Sequence, residues 1–480
     1  MLSTIIAVLL SFQVVSGPDS IPPFQPSVPV KVVGDSIKEE FVRIQRVIIV
    51  GNTKTREQII KREFDFEVGS TYLRSELLKT LQKDKSKIFN TRLFVSVDVR
   101  LIDLSPGQVE VLVDVSERWY FFPSPIFKLA DRNFNDWWQN QNANLNRVEY
   151  GVRLQQDNLR GMNEKLRVMG QFGFTRQFAV GYLFPYINKK QTLGLSFNFG
   201  YSENYSIAYR SLNNKLQFVR DDKIVRNTYM GNFAFTFREA FYNTHYVQLE
   251  YMNNWVSDTI STLNPDYFLD GRNTQEYLRF RYEFKRDLRD IAAYPLSGFL
   301  LHFRFRNYGL GLSKDISKTD FEASFDRYLR LKHNFFVSFS STASYSIPKR
   351  IPYNEFQGLG FNQNYLRGYE LYVMEGHGYG LLKSNIKYRL LNGKLNLGKF
   401  MPLEQFRTVP YGLFLKAYID QGYVLNRLPY PGNERLMNTY LIGYGLGIDY
   451  VSFYDAVIRF EFSQNRMGER GFFLHFKADL

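Results

Sequence analysis

Between residues 118 and 480, bulky apolar side chains alternate with polar or charged ones in many short segments. A period of two puts neighbouring side chains on opposite faces, so each segment predicts a β-strand with one apolar and one polar face. The pattern is clearest in residues 278–285, 301–306, 442–449 and 458–462. Repeated two-faced strands favour either a soluble β-sandwich or a closed membrane barrel.

The aromatic content favours the barrel. The chain has 33 tyrosines and 44 phenylalanines, and aromatic residues make up 17% of it. This composition is typical of barrels with aromatic girdles, whereas a sandwich would bury a close-packed core between its sheets. Mean hydropathy is −0.31, and after the N-terminus no apolar run is long enough for a spanning helix. A membrane barrel is consistent with both the low mean hydropathy and the absence of a long apolar run, because only alternate residues of its strands face lipid.

Charge and cysteine content exclude several functions. Net charge is +14, but Lys and Arg alternate with Glu and Asp inside strands, whereas nucleic-acid binding requires basic residues gathered on one face. The chain has no cysteine, which excludes disulfides, cysteine metal sites and thiol nucleophiles. Its five histidines are scattered without metal-ligand spacing, and it has no Gly-x-Ser-x-Gly elbow. We therefore expect no cofactor, no metal, no nucleic-acid partner and no enzymatic activity.

The first 40 residues differ in composition from the rest. Residues 1–17 combine a short apolar core with small residues, which predicts a signal peptide. Residues 18–40 hold several prolines and few apolar side chains, which predicts a linker. The folded part of the chain is therefore expected to start at residue 41.

Residues 41–117 predict a small α/β domain of order β-α-α-β-β. A strand-like run ends at the turn Gly51-Asn52, and Thr55 is placed to cap the helix that follows. A second helix is predicted to open at Ser70 or Thr71, because leucines then recur with helical spacing. Two strands around a Ser-Pro-Gly turn complete the domain. Such a domain presents a sheet edge to which an extended polypeptide can add as another strand.

From residue 118 onward about sixteen strand candidates follow, and membrane barrels of this type have an even strand number. Their connectors alternate in length: residues 158–163, 187–190, 240–244 and 332–335 are short, whereas 131–146, 257–274, 307–318 and 348–380 are long. Short turns on one rim and long loops on the other are typical of outer-membrane barrels. The connector 394–407 is long where this alternation predicts a short turn.

The longest loop contains Leu366-Arg367-Gly368-Tyr369, preceded by Gly358-Leu359-Gly360. This motif resembles the (Leu/Val/Ile)-Arg-Gly-(Phe/Tyr) loop of the outer-membrane assembly superfamily, which includes BamA, TamA and their two-partner secretion relatives. The Gly51-Asn52 turn and Phe94-Val95-Ser96-Val97 resemble a polypeptide-transport-associated (POTRA) domain of that family. Residues 155–161, 287–290 and 294–298 resemble it too, so the resemblance covers nearly the whole chain after the linker.

The resemblance implies an all-β transmembrane barrel of about sixteen antiparallel strands, residues 118–480, preceded by one small α/β POTRA domain, residues 41–117. It implies a bacterial outer membrane as the location, with the POTRA domain in the periplasm. Unfolded outer-membrane or secreted polypeptides are the implied clients, with membrane lipid and accessory periplasmic or lipoprotein subunits as further partners. The leading function is assembly or insertion of outer-membrane proteins, and the alternative is a polypeptide secretion pore of the two-partner type.

The resemblance also implies a lock inside the barrel. In the family, the arginine of the loop motif reaches an acidic partner on the barrel wall. Alternation places Asp420 on the polar face of its strand, and the resemblance assigns it to Arg367. BamA-type proteins carry a glutamate that faces the arginine where this sequence has Lys387, so the arrangement here departs from theirs.

The first and last strands are predicted to form a weakly paired seam. The first strand, near residues 124–131, contains Ile126 and Lys128, and the last spans residues 471–480. The apolar face of the last strand includes Phe472, Leu474 and Phe476. A poorly paired seam exposes backbone donors and acceptors that an incoming client strand can satisfy.

Overall fold

The computed structural model describes residues 40–129, 145, 148–188, 190, 192–239, 242–361, 364–398, 401, 407–430, 432–452 and 456–475. For residues 128 and 129 the structure describes the backbone and not the side chains. The predicted signal peptide, the predicted linker up to residue 39, the Lys128 side chain and Phe476 lie outside the described residues.

The N-terminal domain is built on a four-stranded sheet of β1 Phe41–Val50, β2 Thr71–Leu73, β3 Phe94–Ser105 and β4 Gln108–Glu117. The strands lie in the order β2-β1-β4-β3, and only β1 and β4 are parallel. The helices are α1 Glu57–Lys61 and α2 Arg74–Phe89. Apolar residues recur with helical spacing along α2 and pack against the valines of β4 in one core. The members from α2 are Leu77, Leu81 and Ile88.

Two details of this domain correct the sequence prediction. The helix α1 follows Arg56 and has no side-chain cap, so Thr55 is not its N-cap. No helix opens at residue 70 or 71, because Thr71–Leu73 pair with β1 as a short strand. The order is therefore β-α-β-α-β-β. A three-residue strand is too short to show a period, and its partner is distant in sequence, so only the folded domain reveals it.

One antiparallel sheet of 16 strands follows, in which every strand pairs with its neighbours in chain order. Its first half consists of β5 Phe121–Leu129, β6 Val148–Gln156, β7 Lys165–Gly173, β8 Thr175–Phe184, β9 Leu193–Asn204, β12 Arg226–Glu239, β13 Asn243–Val256 and β14 Thr274–Asp287. The second half consists of β15 Gly298–Tyr308, β16 Lys318–Arg330, β17 Phe335–Ile347, β18 Gly378–Asn396, β19 Thr408–Leu425, β20 Tyr440–Ser452, β21 Val457–Asn465 and β22 Arg470–His475. The predicted fold class is confirmed.

Smaller elements lie in the described parts of the connectors of this sheet. The strands β10 Ser206–Leu212 and β11 Lys215–Arg220 form a separate hairpin between β9 and β12. The helix α3 Asp258–Leu263 lies between β13 and β14, and a 3₁₀ turn spans Tyr353–Glu355. Among the described residues, no helix is both long enough and apolar enough to cross a membrane.

The two faces of the barrel strands differ in chemistry. Large apolar side chains on the outer face remain exposed, among them Phe199, Tyr229, Leu446 and Phe460. Polar and charged side chains of the same strands are buried on the inner face, among them Asn232, Asp326, Lys383 and Glu461. This separation is the one that a lipid-facing wall and a polar lumen require.

The rim of the barrel near the N-terminal domain is here called the proximal rim, and the opposite one the distal rim. The long connector predicted at 394–407 is shorter in the structure, because β18 and β19 are extended to 19 and 18 residues and β18 continues to Asn396. At the distal rim, Phe174 alone separates β7 from β8. The alternation of short and long connectors therefore holds only in part.

Three distal segments are tied to one another by buried hydrogen bonds. Ser211 of β10 lies 2.7 Å from the Tyr430 hydroxyl. Asn433 donates to Glu375 Oε2 at 2.6 Å, and the Val373 amide donates to the Asn214 carbonyl at 2.8 Å. The β10–β11 hairpin, the loop 348–377 and the connector 426–439 therefore hold each other in place. Burial raises the pKa of the Glu375 carboxyl, although Ser211, Tyr430 and Asn433 donate to it.

The N-terminal domain contacts the proximal rim through its first turn. At Gly51, φ is +87°, and a Cβ would lie 1.8 Å from the Val115 carbonyl oxygen, so only glycine fits this turn. Asn52 donates from Nδ2 to the Thr55 carbonyl at 3.0 Å. Thr55 in turn accepts a hydrogen bond from buried Asn158 of the β6–β7 connector at 2.9 Å. The predicted turn residues therefore shape the part of the domain that meets the barrel.

An ion pair reinforces this contact. Arg238 of β12 donates from both terminal nitrogens to the buried carboxylate of Glu63, at 3.0 and 3.2 Å. Nearby, burial by itself raises the pKa of the Glu117 carboxyl, but hydrogen bonds from Thr55, Thr53 and the Lys54 amide outweigh burial and hold that pKa below its ordinary value. This stabilisation is present above the ordinary carboxyl range and is lost as pH falls through the lowered pKa.

We predict that Arg238→Ala loosens the N-terminal domain from the barrel. The variant removes two charge-assisted hydrogen bonds to a buried carboxylate, which together stabilise the contact by about 1.5–3 kcal/mol. The measurement is the distance distribution between spin labels on Lys83→Cys and Asn334→Cys, which should broaden in the variant. Arg176→Ala, which removes an exposed arginine at the distal rim with a 3.5 Å contact to Glu203, is the control. An unchanged distribution in Arg238→Ala would contradict the prediction.

Candidate functional site in the barrel lumen

The predicted loop motif is a tight turn buried in the lumen. Leu366, Arg367 and Tyr369 are buried, and the Tyr369 amide donates to the Leu366 carbonyl at 3.0 Å. Gly368 has φ +89° at the third position of this turn, where side chains other than glycine are strained. The turn presents Arg367 to the inner faces of β18, β19 and β21.

Arg367 and Asp420 are in direct contact. The Arg367 backbone amide and Nε donate to Asp420 Oδ2 at 3.1 and 2.8 Å, and Nη2 donates to Oδ1 at 2.5 Å. Both side chains are 0% exposed. A two-pronged pair of this kind fixes direction as well as distance, because the planar guanidinium matches the carboxylate. The loop is therefore held against β19 in one orientation.

Three further side chains surround the guanidinium. Its Nη1 donates to Asn385 Oδ1 of β18 at 2.7 Å and lies 3.5 Å from Glu461 Oε1 of β21. The Tyr418 ring of β19 lies beneath it, with 3.8 Å between Arg367 Cζ and the ring centroid. The arginine thus contacts strands on both sides of β20, with carboxylates on two of them.

Lys387 lies against an aromatic ring on the inner face of β18. Its ammonium lies 4.3 Å from the ring centroid of Tyr294, which enters the lumen from the proximal connector after β14. The Tyr294 hydroxyl donates to Asp449 of β20 at 2.8 Å. The second carboxylate beside Arg367 comes from Glu461, two strands beyond Asp420. This chain therefore has a lysine at residue 387 of β18 and a carboxylate beside Arg367 that comes from Glu461 of β21.

Lys416 links the acids of this region. Its ammonium lies 2.7 Å from Asp449 Oδ1 and 2.8 Å from Glu461 Oε1, and all three side chains are buried. Buried ions cost free energy unless they are paired, so each charge here depends on its neighbours. The set formed by Arg367, Lys416, Asp420, Asp449 and Glu461 is called the lumen cluster below.

Glycines on the inner face of β20 make this cluster possible. A Cβ at Gly443 would lie 1.8 Å from the Arg367 carbonyl oxygen. A Cβ at Gly445 would lie 2.5 Å from the Tyr418 hydroxyl, and one at Gly447 would lie 2.9 Å from Lys416 Cε. The motif therefore rests directly on the backbone of β20, and side chains of β19 cross β20 to reach β21.

The same loop reaches the last strand of the barrel. The Tyr365 ring stacks on the His475 ring of β22, with centroids 5.1 Å apart and 17° between the planes. Asn465, at the end of β21, donates to the Gly368 carbonyl at 2.9 Å. The loop therefore contacts the inner wall from β18 to β22.

The structure brings together some of the predicted site residues and separates others. The loop motif and Asp420 meet in the lumen. Gly51 and Asn52 lie in the N-terminal domain. Of the predicted seam residues, Ile126 is buried, whereas Phe472 and Leu474 are exposed on the outer face. Sequence reasoning did not assign Asn385, Lys416, Asp449 or Glu461, although alternation places each on a polar face. Within the described residues, no group of three His, Cys, Asp or Glu side chains could hold a metal ion.

Comparison with known proteins decides the family. Residues 158–464 match the model of the Omp85 superfamily domain. The chain belongs to the Omp85 superfamily. Residues 42–118 match the POTRA model, described as the surface antigen variable number repeat. No curated protein sequence matches significantly.

Solved structures agree on the fold. BamA from Haemophilus ducreyi lacking POTRA domains 1–3 is 14% identical, with a TM-score of 0.50, and the match covers 91% of this chain and 83% of that one. CdiB from Escherichia coli is also 14% identical, with a TM-score of 0.53, and the match covers 91% of this chain and 74% of that one. At such low identity these similarities concern the fold.

Family membership confirms several predictions. Omp85 proteins are non-enzymatic barrels for transport or assembly of polypeptides, located in the bacterial outer membrane with the POTRA domain in the periplasm. The proximal rim is therefore periplasmic and the distal rim extracellular.

Proposed function

We propose that this Omp85 protein inserts outer-membrane proteins, and that client strands enter the membrane between β5 and β22. The observation that carries the proposal is the pairing pattern. Within the part of the chain that the structure describes, β22 pairs with β21 and β5 pairs with β6, but no ladder joins β22 to β5. Phe472 and Phe127, on these strands, are 85% and 67% exposed. Unpaired strand edges can accept an incoming strand.

The POTRA domain has an edge suited to delivering that strand. In the described residues β3 pairs only with β4, so its other edge is open to an extended client. Asp98 and Arg100 alternate with apolar residues along β3, and Asp103 adds an exposed charge near its end. Charges of this kind keep an open edge from pairing with copies of itself. The client would then add to β3 before it reaches the barrel.

The contents of the lumen favour a lateral exit over an axial one. The motif turn is held to the wall by the lumen cluster, and the extracellular segments are tied to one another through Glu375 and Asn433. A polypeptide leaving along the barrel axis would have to displace both. A strand entering between β5 and β22 would leave the Arg367–Asp420 pair in place.

We predict that a disulfide across the seam abolishes insertion while the barrel stays folded. The chain has no native cysteine, so one cysteine at each of residues 124–127 can be combined with one at each of residues 472–474 until a pair closes. The measurement is insertion of an unfolded barrel protein into vesicles that contain the variant. Insertion should fall to the rate of protein-free vesicles and return on reduction.

The matched control ties strands that are already paired. Phe462 and Phe472 face each other in the β21–β22 ladder, so a disulfide between cysteines at these two positions leaves the seam free and should leave insertion unchanged. A confirmed seam crosslink with wild-type insertion would refute lateral entry. Passage of a secreted polypeptide through the crosslinked barrel would support the secretion pore instead.

A further inference from the structure

The strands β18 and β19 extend beyond their neighbours at the periplasmic rim. The β17–β18 ladder ends at Phe335 and Tyr388, whereas the β18–β19 ladder continues to Asn396 and Thr408. Below Tyr388, the Arg389 amide donates to the Asn334 carbonyl of the β16–β17 turn at 3.1 Å. The segment from Leu390 to Asn396 is called the β18 overhang below. Its open edge, on the side of β17, is about 20 Å long at ~3.4 Å per residue.

The backbone groups on this open edge can be assigned from the ladder. The Leu397 amide donates to the Arg407 carbonyl across the hairpin at 2.7 Å. In an antiparallel pair, donors and acceptors alternate in direction from residue to residue. The amides of Asn392, Lys394 and Asn396 therefore point away from β19, and no described residue accepts from them. Such an edge cannot face hydrocarbon, where unsatisfied backbone groups are too costly, so it lies in water or is covered by protein.

The side chains of the overhang differ between its two faces. A bulge between Arg389 and Leu391 shifts the register, so that Leu391 and Leu395 lie on the outer face opposite Leu413 and Val409. These two leucines are 56% and 53% exposed. Lys394 is exposed on the other face, towards the periplasmic mouth. An added strand would therefore meet apolar side chains on one face and positive charge on the other.

The surroundings of the open edge are basic. The described segments 327–334, 389–398 and 407–413 contain no acidic residue. The lysines and arginines of these segments are Arg327, Arg330, Lys332, Arg389, Lys394 and Arg407. Asp290 of the neighbouring connector accepts from the amides of its own loop, at Ile291 and Leu296. The charge of this region is therefore complementary to an acidic partner.

We propose that the β18 overhang is a docking site for an extended acidic segment of a periplasmic polypeptide. The segment adds along the open edge below Phe335 and accepts hydrogen bonds from Asn392, Lys394 and Asn396. Its apolar side chains contact Leu391 and Leu395, and its carboxylates approach Lys394 and Lys332. The site lies on β18, six strands from β12, which contacts the POTRA domain. The proposed docking site is therefore distinct from the POTRA edge. Its use does not depend on whether clients leave between β5 and β22 or along the barrel axis.

The test uses a synthetic ten-residue peptide in which valine alternates with glutamate. The full chain is placed in zwitterionic lipid nanodiscs, and a fluorophore on Thr408→Cys reports binding locally, because Thr408 pairs with Asn396. The peptide should change the signal saturably. A peptide with lysine in place of glutamate should bind about tenfold more weakly or not at all, because like charges repel at the edge.

A pair of variants at one position isolates the backbone donor. Asn392→Pro removes an outward amide without changing charge and should weaken peptide binding about tenfold. Asn392→Ala keeps the amide and should bind within about twofold of wild type. Lys394→Gln should weaken binding several-fold through charge alone. Equal affinity of Asn392→Pro and Asn392→Ala for the peptide would overturn the proposal.

Hydrogen exchange and anionic lipid provide two further tests of the docking site. If Asn392→Pro fails to fold, amide hydrogen exchange is measured in the wild-type chain instead. Bound peptide should slow the exchange of the amides of Asn392, Lys394 and Asn396. Unchanged exchange rates would refute the docking site. If the fluorophore responds to phosphatidylglycerol in the nanodisc but not to the peptide, the overhang contacts anionic lipid and the proposal is wrong.

Discussion

Arg367→Ala should lower the free energy of unfolding of the barrel by about 3–5 kcal/mol, because it leaves the buried carboxylate of Asp420 without its cation. The variant also removes the hydrogen bond to Asn385 and the stacking on Tyr418. The measurement is urea-induced unfolding in detergent, followed by the shift in gel mobility between folded and unfolded barrel. Arg367→Lys should recover only part of the loss, because an ammonium cannot make the two-pronged contact.

A double-mutant cycle tests whether the pair is the cause. Asp420→Ala should destabilise to a similar extent, and the double variant should be less destabilised than the sum, since one interaction is lost only once. Arg350→Ala is the control in the same loop, because Arg350 is exposed and pairs with Asp266 and Asp270 at the surface. Its expected effect is about 0–1 kcal/mol. Additive losses at residues 367 and 420 would mean that the two side chains act independently.

Gly443→Ala should displace the whole loop motif. The added methyl group would lie 1.8 Å from the Arg367 carbonyl oxygen, and neither the turn nor β20 can move without disturbing the lumen cluster. Overpacking of this kind typically costs about 1–3 kcal/mol, and a clash with a backbone carbonyl rather than a flexible side chain puts the expected value at the upper end. The measurement is again unfolding in urea, together with protease cleavage in the loop 348–377, which should become faster.

Gly380→Ala is the matched control for that variant. It lies on β18, and a Cβ built at Gly380 meets no atom within 4 Å. The same change of residue should therefore leave stability and protease resistance close to those of the wild type. If both alanine variants behave alike, the close approach of the motif to β20 is not important for stability.

The loop and the barrel wall support one another. Arg367 bonds to β19 and β18, Gly368 accepts from β21, and Tyr365 stacks on β22. The loop thus braces the C-terminal part of the wall from the inside, up to the strand at the seam. A barrel with one weakly paired junction benefits from such a brace, because the strands next to the junction lack a partner on one side. Loss of the motif should therefore disturb β22 as well as the lumen.

The sequence by itself determined the architecture and the face on which each residue lies. Strand side chains alternate with a fixed local period, so Asp420, Lys387 and Glu461 could all be placed on an inner face without knowing any neighbour. The Leu-Arg-Gly-Tyr motif was likewise visible as a local pattern. The pairing of Arg367 with Asp420, in contrast, rested on resemblance to the family, and the contact in the structure agrees with it.

Only the tertiary structure decided which inner residues meet. The approach of Glu461 to Arg367 and of Lys387 to Tyr294 depends on strand register and on glycines that let side chains cross β20. The short strand β2 and the β18 overhang are also invisible to periodicity, because one is too short and the other is defined by where its neighbours end. Alternation is a property of one strand, whereas register and neighbour length are properties of several strands together, so the local sequence cannot specify them.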